Sequence, residues 1–492
     1  MADVSNRQDA STDDAYLDGT VDALHQAAGI VAAYRRTLRE RRVTPTRSID
    51  QVAADLGWQP PAGPTPPGEV INLLAEAADG GLMATAGPRY FGFVIGGSLP
   101  AATAADVLAA GWDQNAFNSV TSPAAGAAEQ VAGSWLKDLL NLPTSASTGF
   151  VTGAQAANTA GLAAARHRVL GDVGWDVEQR GLLGAPTVHV VASVERHATI
   201  DRSLRLLGLG NDSVTPVTAG ANGAIDTDHL AEVLAQLAVE GRSQASGQAP
   251  PIVCLQAGNV NTGACDDLRT AIELVRKHGG WAHVDGAFGL WAAASAKTRH
   301  LVDGVELADS WGCDGHKWLN LPYDSGFAFC AHPEIAATAM SYTAAYLTGS
   351  GTVSGMGDLT AESSRRARGF AAWAALRELG RDGVAELIDR CCSLAQRFAS
   401  GLADGGAEIV NDVVLNQVLV GFTDTRAETK VAGPDRIDSI VEAIQKDGTC
   451  WLGATTWRGR RLLRVSVSNH LTSIEDIDRS VAAVLRAAAQ GQ

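Results

Sequence analysis

From about residue 149 to residue 332 the chain alternates short β-rich runs with longer helical patterns, and no other feature restricts its fold as tightly. The runs are PTVHVVASV (186–194), SVTPVTA, PIVCLQAG (251–258), WAHVDGAFG and GFAFCAH (326–332). Between the first four lie RHATIDRSLRLLGL, TDHLAEVLAQLAVEG and DLRTAIELVRKHG, each with apolar residues at helical spacing. Strands this apolar are buried on both faces, and the intervening helices supply the cover. A large α/β domain with a mostly parallel sheet follows, placed at about 90–345. GFVTGAQAANTAGLAAARHRVL, just ahead of the first run, reads as a turn into a long helix.

The flanks read differently. Residues 1–14 are polar and read as a disordered tail. Tyr16 to about Arg42 is an amphipathic helix that needs something to pack on, and a partner subunit is one candidate. VTPTRSIDQVAADLGWQPPAGPTPPGEV is proline-rich and reads as a wrapping linker. EVINLLAEAADGGL ends as a helix at a Gly pair. These pieces make an N-terminal helical segment at 1–89. Helices are expected at 101–111 and 122–142, the second capped by Ser122 with Pro123 at its first position. Beyond 345 come a loop and a long helical stretch. The strand VVLNQVLVGF, a helix, the strand RLLRVSVSN (461–469) and a closing helix capped by Thr472 or Ser473 complete a smaller α+β domain at 346–492.

Apolar residues make up 46% of the 492 and charged residues 19%, enough for a sizeable core. The net charge of −15 argues against nucleic-acid or anionic-membrane binding, since both need basic patches. The N-terminus lacks the basic start and apolar run of a secretory signal. No stretch reaches the roughly 20 unbroken apolar residues of a membrane span. The seven cysteines are scattered, odd in number and without metal spacing. A cytoplasmic protein with reduced thiols and no metal site is expected.

Chemistry concentrates in residues 281–329. WAHVDGAFGL delivers Asp285 from a buried strand, and DSWGCDGHKW delivers His316 and Lys317. Asp285 is either a turn cap or the counter-charge that keeps a pyridine nitrogen protonated. Lys317 is either a surface lysine or a desolvated amine nucleophile. TGAQAANTAGLAAARHR (152–168) is either an ordinary tight turn or a small-residue phosphate cradle at a helix N-terminus. His197 follows a strand and starts a helix, as a cap or as a flat ring that stacks on an aromatic cofactor. All four lie where strands end, the edge at which open α/β sheets bind ligands.

In this order, TGAQAANTAGLAAAR, ERHATIDRSLRLLGLG, QAGNVNTGACDDL, HVDGAFG, DGHKWLNLPYDSG and SSRRARGFAAWAALRELG resemble the group II pyridoxal-phosphate-dependent decarboxylases. That family includes the aromatic amino acid, glutamate, histidine and diaminobutyrate decarboxylases, and the resemblance runs from about residue 85 to 480. It implies the fold type I architecture (aspartate aminotransferase-like), the cofactor pyridoxal 5'-phosphate, an L-amino acid substrate that loses CO2, and a homodimer with sites at the interface. It makes Lys317 the Schiff-base lysine and Asp285 the partner of the pyridinium nitrogen. Ala287 would pack on one ring face and His197 stack on the other. Thr152, Ala154, Gln155 and His316 fall where the family holds phosphate, and Asn259 near a polar position beside the cofactor. Gln155 replaces a usual Ser or Thr. Asp314 stands where several members have an Asn, and as a carboxylate beside a dianion it is expected to turn away. Tyr90, Phe91, Phe93, Trp112 and Asn115 either line the substrate pocket or pack in the core. The family's mobile-loop tyrosine, which protonates the substrate carbanion, has no counterpart here. Its place falls near Met356, no tyrosine lies between Leu347 and Arg365, and Tyr342 and Tyr346 lie upstream. That departure opens a second outcome: oxidative decarboxylation–deamination to an aldehyde, or another carbanion reaction such as transamination or retro-aldol cleavage.

Overall fold

The computed structural model describes residues 6–243, 248–342, 356–422 and 434–490. Three helices come first: α1 (Asn6–Thr37), α2 (Ile49–Leu56) and α3 (Pro67–Ala78). α1 starts well before Tyr16, within the stretch expected to be disordered. Residues 6–14 hold neither Gly nor Pro, so a helix nucleated on the amphipathic turns propagates back through them. α2 interrupts the expected linker and is set by a capping box. Ser48 Oγ accepts from the Gln51 N–H at 3.3 Å, and Gln51 Oε1 accepts from the Ser48 N–H at 2.8 Å.

Next come α4 (Pro100–Trp112) and α5 (Pro123–Leu139). Ser122 caps α5 as expected, its Oγ accepting from the Ala125 N–H at 3.2 Å. The α/β region then runs β1 (Ser147–Val151), α6 (Ala154–Gly171), α7 (Val177–Arg180), β2 (Val190–Ser193), α8 (Ala198–Leu206), β3 (Val214–Val217), α9 (Thr227–Ser243), β4 (Ile252–Gln256), α10 (Leu268–Lys277), β5 (Trp281–Asp285), β6 (Ser310–Asp314), β7 (Gly326–Cys330) and α11 (Pro333–Met340). These strands form one seven-stranded sheet in the order β1-β7-β6-β5-β4-β2-β3. Five neighbours, β6 through β3, are parallel, and β7 runs antiparallel to both β1 and β6. β1 stands where only a turn was expected. Its sequence, STGFV, is half small and polar, and pairing Phe150 with Phe327 of β7 makes it a strand.

The C-terminal part consists of α12 (Gly369–Asp404), β8 (Glu408–Ile409), β9 (Gln417–Gly421), α13 (Pro434–Asp447), β10 (Gly453–Trp457), β11 (Arg460–Ser466) and α14 (Ile474–Gln490). Its sheet has the order β10-β11-β9-β8 and is antiparallel. β10 was not anticipated because its hairpin turn is unusual. Arg458 (φ 49°) and Gly459 (φ 75°) are both left-handed, a two-residue geometry that sequences more often signal with Asn-Gly. Ser473, not Thr472, caps α14. Its Oγ accepts from the Asp476 N–H at 3.3 Å, whereas Thr472 Oγ1 donates to the Pro88 carbonyl at 2.7 Å. One apolar core runs from Phe91 and the centre of the large sheet through α12 to β9, β11 and α14. Among the described residues no helix is long and apolar enough to cross a membrane.

Candidate active site

Five strands, β1, β2, β4, β5 and β6, end at one edge of the large sheet around a cavity of about 270 Å³. Thr152, Ala154 and Gln155 enter it from the β1–α6 turn, His197 from the end of β2, and Asp285 and Ala287 from β5. His316 and Lys317 enter from the turn after β6. Eight of the nine residues singled out in the sequence therefore meet in one space. The ninth, Asn259, turns into its own loop. Its Oδ1 accepts from the Asn261 N–H at 2.9 Å and its Nδ2 donates to the Glu195 carbonyl at 3.3 Å. Gln256 lines the wall from the end of the same strand.

The Lys317 backbone is held from two sides. Asn320, itself left-handed (φ 57°), donates its backbone N–H to the Lys317 carbonyl at 3.2 Å and is anchored by Nδ2 on the Trp318 and Ser468 carbonyls, both at 2.8 Å. On the other side Gly96 lies so close that a Cβ there would sit 1.7 Å from the Lys317 carbonyl oxygen. Any side chain at 96 would push the lysine out of place.

Asp285 is buried and accepts the Ala287 N–H at 3.3 Å. Burial raises its pKa above the usual carboxylate range, while His197 and Lys317 pull it back down. His197 is the N-cap of α8, its Nδ1 accepting from the Thr199 N–H at 3.3 Å. Burial lowers its pKa, with Asp285 opposing that shift and Lys317 and Arg464 adding to it. Burial likewise lowers the pKa of His316, whose ring stacks on Tyr323 with centroids 4.3 Å apart.

Asp314 does not turn away. Its Oδ1 accepts the Ala154 N–H at 2.5 Å, and its Oδ2 lies 2.9 Å from Lys317 Nζ. His316 Nε2 is 3.3 Å from Oδ1. The reason lies in the helix end. Gly153 is the N-cap of α6 and has no side chain to satisfy the free N–H groups, so a carboxylate from the neighbouring strand end does so at the positive end of the helix dipole. Gln155 Nε2 donates to Ser203 Oγ at 2.9 Å and to the Thr199 carbonyl at 3.3 Å.

Sequence reading missed Thr199, Gln256, Gly258, Val260 and Phe288 on the cavity wall. It also missed Arg464 on β11, which is largely buried and donates from Nη1 to the Val260 carbonyl at 3.4 Å. One arginine among four in RGRRLLRVSVSN carried no signal of its own. The five upstream residues weighed for a substrate pocket are not on this wall. Tyr90 stacks on Trp451 at 4.9 Å, and Phe93 lies 5.4 Å from the same ring. Phe91 packs edge-on against Phe398 at 5.2 Å, Trp112 likewise against Phe370 at 5.4 Å, and Asn115 Oδ1 accepts from the Arg365 N–H at 3.1 Å. Tyr342 hydrogen-bonds the Ser363 hydroxyl, and Met356 is buried. Tyr346 lies outside the described residues.

Residues 75–423 match the family model described as the pyridoxal-dependent decarboxylase conserved domain. An aromatic-L-amino-acid decarboxylase of Bacillus atrophaeus is 26% identical over 462 residues, covering 92% of each chain. The crystal structure of Oryza sativa TDC with PLP and tryptamine superposes with a TM-score of 0.87 at 24% identity, covering 96% of this chain and 98% of that one. The structure of Rhodiola rosea 4-hydroxyphenylacetaldehyde synthase gives 0.80 at 21% identity, with 98% of both chains covered. At these identities the two structures establish the shared fold and no more.

Proposed function

The chain belongs to the pyridoxal-dependent decarboxylase family, and we propose that it removes the α-carboxylate of an L-amino acid as CO2 with Lys317, Asp285 and His197 at the reacting centre. It is a pyridoxal-phosphate-dependent carboxy-lyase. The observation that carries the residue assignment is the meeting of an amine, a buried carboxylate and a neutral imidazole in one cavity beside a helix N-terminus.

The residues present fit the cofactor. At the β1–α6 turn a Cβ on Gly153 would sit 2.9 Å from His316 Cε1 and 3.0 Å from Asp314 Oδ1, so only a bare backbone leaves room there. When bound, pyridoxal phosphate supplies a ring that accepts the electron pair left as the Cα–carboxylate bond breaks. Lys317 is the amine that would hold its aldehyde carbon. Asp285 is buried deeply enough to hold a proton on the ring nitrogen by charge pairing. His197 and Ala287 would flank the ring, and Thr152, Ala154, Gln155 and His316 would hold the phosphate. Asn259 would act through the loop it braces, by way of the Asn261 N–H and the Glu195 carbonyl. Arg464, hydrogen-bonded to the Val260 carbonyl, would offer a positive charge to the carboxylate of the substrate.

Two finer points belong to the same proposal. The protein works as a homodimer in the cytoplasm, with the division into 1–89, 90–345 and 346–492 as its domain plan. Apolar side chains exposed on the N-terminal helices, such as Ile49 at 83% and Leu24 at 51%, support the dimer. The seven free cysteines suit a reducing compartment. The second reading keeps the cofactor and changes the product to an aldehyde. The tyrosine-free stretch from Leu347 to Arg365 motivates it.

A mass-spectrometric screen of amino acids with added cofactor, run with and without oxygen, separates the two. One amine and one CO2 per substrate, indifferent to oxygen, supports decarboxylation. Aldehyde with ammonia and peroxide, dependent on oxygen, supports the second reading. No product from any amino acid would overturn both.

A further inference from the structure

His283 precedes Asp285 by two residues on β5 and is fully buried. Glycines on two other elements make room for it and for its partner. A Cβ on Gly161 of α6 would sit 2.7 Å from the His283 ring, and one on Gly312 of β6 would sit 2.3 Å from Asn158 Oδ1. The space is filled by a string of polar groups. Trp281 Nε1 donates to Ser310 Oγ at 2.9 Å, and Ser310 Oγ lies 2.8 Å from His283 Nδ1. His283 Nε2 is 3.1 Å from Asn158 Oδ1, and Asn158 Nδ2 is 3.5 Å from Thr199 Oγ1, the longest link. Thr199 Oγ1 ends the string 2.9 Å from His197 Nδ1.

The direction of every link follows from groups with no choice. An indole N–H can only donate, so Ser310 receives it, and Asn158 Oδ1 can only accept, so His283 Nε2 carries the N–H. Burial keeps His283 neutral, with its pKa pushed down to about 3, so its other nitrogen, Nδ1, is bare and takes the Ser310 hydrogen. The Asn158 amide then donates onward to Thr199. At the far end the backbone N–H of Thr199 also points at His197 Nδ1, at 3.3 Å. Two donors converge on that nitrogen, which is therefore the acceptor.

We propose that this buried string sets the tautomer of His197, leaving its proton on Nε2 toward the cavity, and that Thr199 and Asn158 are positioning residues for the reaction. The proposal rests on the reading of the cavity as the cofactor site. A proton on Nδ1 would set an N–H against two donors, so the imidazolium is disfavoured by geometry as well as by burial. His197 thus offers the substrate or cofactor a neutral hydrogen-bond donor and no positive charge. The charged groups that face it come from three other elements. Asp285 of β5 and Asp314 of β6 favour its protonation, while Lys317 after β6 and Arg464 of β11 oppose it.

Thr199→Val keeps the side-chain shape and the backbone N–H and removes the hydroxyl donor. The pH at which kcat/KM falls on the acid side should then rise by about half a unit or more. Thr199→Ser should restore the parental profile. Asn158→Leu should shift it in the same direction, and the double variant should move it no further than the single ones. Cofactor absorbance is recorded for every variant. An unmoved profile in a Thr199→Val protein that still gains that absorbance overturns the relay alone, as does a fully additive double variant. A parental protein that gains no cofactor absorbance overturns the cofactor reading and the relay with it.

Discussion

At the residue scale, Asp314 shows how much one charge decides. It sits on the N–H of Ala154 and pairs with Lys317, the two places the proposal gives to the phosphate and the aldehyde. A carboxylate and a phosphate dianion compete for the same helix end. Asp314→Asn should therefore tighten pyridoxal-phosphate binding by about tenfold, near 1.4 kcal/mol, in a titration of cofactor absorbance or intrinsic fluorescence. Unchanged or weaker binding would show that Asp314 aids the cofactor. His283 gives a second residue-scale prediction. Its imidazole titrates near 6.5 when exposed and at about 3 in the fold. Its contribution to stability is fully present above 6.5 and is lost as pH falls toward 3, because only the unfolded chain can take up the proton. Between pH 7 and pH 5 the parental protein should lose about 2 kcal/mol more than His283→Gln in urea denaturation. Equal losses would show that His283 is not the group responsible. Lys317, Asp285 and His197 were legible in the sequence because each is a chemically capable side chain just past an apolar run. The pose of Asp314 was not legible, since its partner Ala154 is 160 residues away. Thr199 was not legible because a threonine two residues past His197 has no role until the turn folds it onto the ring, and Arg464 because its partner Val260 is far away in the chain.

At the element scale, the segment leading into α12 is tied to α5 by a buried ion pair. Arg365 Nη1 and Nη2 meet the two carboxylate oxygens of Glu129 at 2.7 and 2.8 Å. The same guanidinium donates to the Phe150 carbonyl of β1 at 3.0 Å and to the Met356 carbonyl at 3.2 Å. One arginine thus joins the loop's far end, the sheet edge and α5. Removing only the carboxylate leaves a buried cation unpaired, so Glu129→Ala should destabilise by about 3–5 kcal/mol. Glu129→Leu combined with Arg365→Met should recover much of that loss in urea denaturation, and a double variant as unstable as the single one would show that packing, not charge, is at stake. The alternation of strand and helix was readable because each element carries its own apolar period. β1 and β10 were not, since a small-residue strand and an Arg-Gly turn acquire their identity from pairing with β7 and β11.

At the scale of the whole molecule, one apolar core links both sheets, while α1 and α2 leave apolar side chains exposed. Sedimentation equilibrium should therefore give twice the chain mass at micromolar concentration, and a single-chain mass would remove the dimer from the account. The α/β architecture and the family were legible over most of the chain because the alternation and stretches such as HVDGAFG and DGHKWLNLPYDSG are patterns of contiguous residues. The product was not, since the expected place of the loop tyrosine, near Met356, holds none and residues 343–355 lie outside the described structure. The central claim is that Lys317 is the amine that holds pyridoxal phosphate. Borohydride reduction of the cofactor-loaded protein, followed by peptide mass mapping, tests it most directly. A pyridoxyl-phosphate adduct on Lys317 is the predicted result, and an adduct confined to other lysines, or none, would contradict it.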